Sequence, residues 1–230
     1  MSITDRLLAL LASLGPLQVA LALTAASASL LVIQERRLSL LPLLAQYFLL
    51  GPLVGSQIYR PVLPIRTGLG IAVCLILYVS ARRVQRQLDS LTPLLTNESK
   101  VWSGPVAPAL RAISLAGMGL TFRVMIVALG GLVAYGIWRA YPLATVPMET
   151  NLAGYWLVSI GLLLTLTSLD PLRVGFGILT FANGFEVIYL YLEQSLLIMS
   201  LLCVVHILLA LAIAACSESW LESLQREASG

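Results

Sequence analysis

Seven apolar blocks, each about 18 to 22 residues long, run along the chain, and short polar or basic stretches separate them. They fall at about 16–34, 39–58, 64–81, 120–138, 151–169, 172–192 and 195–216. Within each block the apolar residues occur on all sides rather than at alternate positions, which predicts helices and not strands. At about 1.5 Å per residue, some 20 residues cross the hydrocarbon core of a bilayer. The pattern therefore predicts an all-α integral membrane protein of about seven transmembrane helices, folded as a single membrane domain over residues 1–230.

Composition agrees. The 230 residues are 59% hydrophobic and 11% charged, with mean hydropathy +0.93. Soluble domains carry about 25% charged residues, so this chain has too little charge to cover a soluble surface. A net charge of +3 without a dense basic stripe argues against a nucleic-acid partner. Cys74, Cys203 and Cys216 lie in or at the end of apolar blocks with no CxxC or Cys/His spacing, and the chain has one histidine, so no metal or other cofactor is expected. No nucleophile elbow, phosphate loop or dinucleotide fingerprint is present, so the chain is not expected to be an enzyme by itself.

Arginine and lysine set the expected orientation. With seven spans, one side carries Arg6, Arg60, Arg66 and Arg139, and the other carries Arg36, Arg37, Arg82, Arg83, Arg86, Lys100, Arg111, Arg123, Arg173 and Arg226. The richer side is expected to be cytoplasmic, which predicts a multi-pass protein of the cell membrane with an external N-terminus and a cytoplasmic C-terminus. The opening MSITDRLLALLASLG and the later AASAS fit either a cleaved leader or a short interfacial helix ended by Pro16. The apolar run continues through Leu31, Val32 and Ile33 into QERR, which favours a retained span. The longest connection, 82–119, is broken by Pro93, Gly104, Pro105 and Pro108 after a first stretch that prolongs the third block.

The two halves have the same layout. Blocks one to three match blocks five to seven at an offset of 133, which sets Gly51 against Gly184 and Val73 against His206. This predicts a parallel repeat of three-helix units, 16–83 and 151–216, joined by a connector over 84–150. Gly51 and Gly55 form a GxxxG, and with Gly184 they are candidates for close helix packing.

Polar residues inside the apolar blocks carry the candidate chemistry, because ionisable groups are costly in hydrocarbon. Thr180, Asn183 and Glu186 recur every three residues, as do Ser200, Cys203 and His206, so each set shares one helix face. The sixth and seventh blocks are joined by a turn near Glu193, which makes them antiparallel neighbours. Counted from that turn, Glu186 and His206 differ in depth by roughly 7 Å, with Asn183 between them. Glu186, Asn183 and His206 are thus candidates for a proton relay, histidine being the side chain that titrates nearest neutrality. The competing reading is that Glu186 is neutral or paired and, like His206, only holds helices together. Gln46 and Gln57 read as interhelical hydrogen-bond donors, and Arg66 and Arg123, near span ends, as snorkelling side chains.

The hairpin DPLRVGFGILTFANGFEVIYLYLEQSLLIMSLLCVVHILLALAIA resembles a known pattern. It is similar to the K-type subunit of NADH:quinone oxidoreductase (complex I), to the C subunit of multisubunit cation/proton antiporters, and most of all to the E component of hydrogenase-4 and formate hydrogenlyase. Arg173, Gly175, Gly177, Asn183, Gly184 and His206 stand at the matching places. Two departures stand out. The family carboxylate near the Asn is replaced by Ala182 and Leu179, with Glu186 one turn later, and the acidic residue of the last span is replaced by His206. The resemblance implies a small membrane subunit of a respiratory assembly of the complex I or hydrogenase type. Its partners would be other membrane subunits and the lipid bilayer, its role proton or ion translocation, and redox chemistry would occur in other subunits. The alternatives are a stand-alone small transporter and a purely structural membrane anchor.

Overall fold

The computed structural model describes residues 15–33, 35, 38–55, 62–98, 119–193 and 195–229. Among them are seven helices and no strands: α1 (Pro16–Val32), α2 (Leu40–Gly55), α3 (Val62–Glu98), α4 (Leu120–Ala140), α5 (Met148–Thr167), α6 (Pro171–Leu192) and α7 (Leu196–Ser229). Each expected block has its helix. Five, α3 to α7, contain stretches long and apolar enough to cross a membrane, while α1 and α2 are shorter apolar helices. Gln57, Gly104, Lys100 and the N-terminal stretch discussed above lie outside the described residues.

The helices begin where local chemistry lets them. α1 starts with Pro16 in its first turn, where a missing N–H costs nothing, and the Gln18 side chain accepts from Gly15 N at 3.3 Å. α6 starts the same way, with Pro171 following Asp170, whose carboxylate accepts from Leu172 N at 3.3 Å. α3 does not stop at the end of its apolar part but runs on to Glu98, and α7 runs on to Ser229.

α5 and α6 form the tightest pair, because glycines replace side chains along their seam. A Cβ on Gly184 would stand 2.7 Å from Leu157 Cβ and from Val158 N. One on Gly161 would stand 2.7 Å from Gly177 O and collide with the Phe181 backbone, and one on Gly177 would strike Thr165. Most of these obstacles are backbone atoms, which cannot swing away. Gly184 thus lies in the close contact between α5 and α6. Gly51 is buried in α2, and Gly55 ends that helix. Along this seam Gly154 and Gly161 face Gly184 and Gly177, a seven-residue spacing on each helix. The spacing is the sequence signal that a GxxxG search passes over.

The other end of the bundle gathers basic residues onto helix termini. Arg123 Nη1 donates to Val32 O at 2.9 Å and Arg173 Nη2 to Ile33 O at 2.7 Å, so two cations meet the negative end of α1. Trp156 is tied inward as well, its Nε1 donating to Ser27 Oγ at 2.8 Å and joining α5 to α1.

Candidate functional site

Four helices bring ionisable and polar side chains to one buried corner. α6 supplies Glu186, Asn183 and Thr180, α7 supplies His206, α3 supplies Arg66, and α2 supplies Gln46 and Tyr47; all seven are buried. Glu186 lies six residues from the end of α6 and His206 ten from the start of α7, or about 9 Å and 15 Å of helix. Side chains on a helix lean toward its N-terminus. On two antiparallel helices that lean closes the gap, and His206 Nε2 comes within 3.8 Å of Glu186 Oε2. The antiparallel sense is visible in the contacts: Gly175 meets Ile213 while Glu186 meets His206.

The same carboxylate oxygen lies 2.7 Å from Arg66 Nη2, and both side chains are 1% exposed. The contact is an ion pair by distance rather than an aligned hydrogen bond. This corrects the snorkelling expectation for Arg66. Burying a guanidinium without a carboxylate would be prohibitive, and burying it beside one is tolerated. Arg66 is near the start of α3 and Glu186 near the end of α6, so the two reach similar depth from the same end. Counting depth for residues of opposite charge, rather than only along one hairpin, would have paired them.

His206 has its own anchor. Its Nδ1 stands 2.9 Å from Leu202 O, one turn back on α7. A carbonyl oxygen only accepts, so Nδ1 carries the hydrogen and Nε2 is left facing Glu186. The ring of Tyr47 packs edge-on against the imidazole with centroids 5.8 Å apart. Gly70 allows this arrangement, since a Cβ there would sit 2.5 Å from Tyr47 Cβ. Thr180 Oγ1 donates to Gln46 Oε1 at 3.4 Å, tying α6 to α2 beside the pair.

The expected ladder is therefore rearranged. Glu186 and His206 meet directly, and Arg66 joins them. Asn183 is buried, yet neither of its amide atoms has a hydrogen-bond partner among the described residues. The same holds for Tyr47 Oη, Gln46 Nε2 and Glu186 Oε1. Such a concentration of unused buried donors and acceptors is unusual in a folded interior, and it surrounds the meeting of Arg66, Glu186 and His206.

No protein-family model matches the chain, and no curated protein or solved structure matches it.

Proposed function

We propose that this chain is a small membrane subunit of a complex I-like or hydrogenase-like respiratory assembly, and that it handles protons at the Arg66–Glu186–His206 site. The observation that carries the reading is the meeting of these three groups, each about 1% exposed or less, inside a bundle of apolar helices. Arg66 and Glu186 balance each other's charge. The site is then neutral when His206 is neutral, and a proton taken up at Nε2 would sit beside the Glu186 carboxylate. With Nδ1 held by Leu202 O, protons arrive at and leave from Nε2. The resemblance to hydrogenase-4 component E supports an assembly in which electrons move elsewhere and this subunit contributes to the ion path. The basic end bearing Arg83, Arg123, Arg173 and Arg226 would face the cytoplasm.

A stand-alone transporter and a structural anchor remain the rival readings, and one variant together with purification in mild detergent separates all three. His206→Gln removes the titrating ring but leaves the Arg66–Glu186 pair intact. Under the proposed reading, a tagged chain purified in mild detergent brings large membrane partners with it. The variant co-purifies with them as the wild type does, and ion pumping per electron transferred falls. Pumping at the wild-type ratio in the assembled variant would leave only the structural role. Purification without partners would favour the transporter.

A further inference from the structure

The helix boundaries repeat. α1 and α5 start at Pro16 and Met148, α2 and α6 at Leu40 and Pro171, and α3 and α7 at Val62 and Leu196, separations of 132, 131 and 134 residues. The contacts repeat too. α1 packs on α2 and α2 on α3, as α5 packs on α6 and α6 on α7. Between the two sets, α1 packs on α5, α2 on α6 and α3 on α7. Exchanging the two sets of three helices leaves this pattern unchanged, and α4 stands outside it, against α5 and α1.

The side-chain ties between the sets obey the same register. Ser27–Trp156, Gln46–Thr180, Arg83–Glu218, Ser80–Ser217 and Leu53–Tyr191 are separated by 129, 134, 135, 137 and 138 residues. Along α2 and α6, and along α3 and α7, both numbers rise together, so the paired helices run parallel. Two units related by a twofold axis along the membrane normal produce such contacts, because matching helices meet at matching depth beside the axis.

We infer that residues 16–83 and 151–216 are two copies of one three-helix unit packed about a pseudo-twofold axis, and that the charged site is one of two equivalent positions, the other closed by Leu53 and Met199. The offset of 133 sends Glu186 to Leu53 and Arg66 to Met199. Both partners are buried, and both belong to one apolar cluster with Val19, Leu50 and Val187. It also sends His206 to Val73, which is buried in the other apolar cluster. The duplicated frame thus offers two corners where the third helix of one unit crosses the second helix of the other. The protein keeps polar chemistry in one and fills the other with hydrocarbon. This holds whatever the polar corner does.

Charge transplantation tests it. Leu53→Glu and Met199→Arg, made singly in the full chain, should each abolish recovery of monodisperse protein in mild detergent. Together they should restore it at least tenfold over the worse single variant, as the two charges meet in the way that Arg66 and Glu186 do. Cross-linking gives a gentler readout in a background lacking native cysteines. Leu53→Cys with Met199→Cys should link through a short bis-thiol reagent as readily as Arg66→Cys with Glu186→Cys, both identified by peptide mass. A 66/186 link without a 53/199 link would overturn the equivalence, as would a double charge variant no better than the worse single one.

Discussion

Two faces of α6 do opposite things. Gly184 and Glu186 are two residues apart, which turns them about 200° from each other on a helix. The glycine face meets α5 with backbone almost against backbone. The Glu186 face meets α2, α3 and α7 through charged and polar side chains with hydrogen-bonding capacity to spare. The first face is specific because nothing larger fits. The second is specific because each charge requires its partner. A helix braced on one side by a seam that cannot slide is a firm platform for a carboxylate on the other.

The charged face should give the larger response. Glu186→Leu leaves Arg66 buried and uncompensated, and losing one member of a buried pair costs about 3–5 kcal/mol. Unfolding monitored in detergent should show that loss. Arg66→Met combined with Glu186→Leu should recover most of it, since an apolar pair of similar volume is often as stable as the ions it replaces. If the single Glu186→Leu variant matched the wild type, the two groups would not be ionised partners, and the contrast between the faces would collapse.

The glycine face comes next. Gly161→Ala forces a methyl onto the backbone of α6, an overpacking expected to cost about 1–3 kcal/mol. Gly136 in α4 is the control, because a Cβ there meets nothing within 4 Å. Gly136→Ala should be neutral or stabilise by up to about 1 kcal/mol through helix propensity. Equal effects at both positions would mean that the seam is looser than it stands here.

The helices were legible in the chain because membrane-length apolar runs are a local signal, and so was the α6–α7 hairpin, from its short turn. Counting residues along that hairpin set Glu186 and His206 roughly 7 Å apart in depth with Asn183 between them; their direct contact comes from the lean of the two side chains toward each other, which the count leaves out. Arg66 was not legible in the same way. Its partner lies 120 residues away on a helix that is not its chain neighbour, and a basic residue near a span end looks the same whether it faces lipid headgroups or the bundle. Burial takes Arg66 from the poorer side and Arg123 from the richer one, which leaves the charge asymmetry resting on three arginines against nine basic residues. The glycine seam escaped for a different reason. Its period is seven, and it depends on two helices being in register, which no single stretch of sequence displays.

The smallest effects should come from the layer that joins α3 to α7 beyond the charged corner. Ser80 and Ser217 are buried there with their hydroxyl oxygens 2.8 Å apart, and one turn along, Arg83 Nη1 stands 3.2 Å from Glu218 Oε1 with both side chains largely in the open. Ser217 already donates its hydrogen to Ala214 O at 2.8 Å, so in this pair Ser80 is the donor and Ser217 Oγ the acceptor. Ser80→Ala therefore leaves no donor stranded and should cost about 0.5–1.5 kcal/mol, the net worth of one hydrogen bond. Arg83→Ala should cost about 0–1 kcal/mol, and the difference should vanish in high salt because exposed ion pairs are screened. Measuring both by thermal unfolding in low and high salt separates burial from charge on a single helix pair. A salt-sensitive loss at Ser80, or a larger loss at Arg83 than at Ser80, would show that charge rather than burial sets the strength of contacts in this layer.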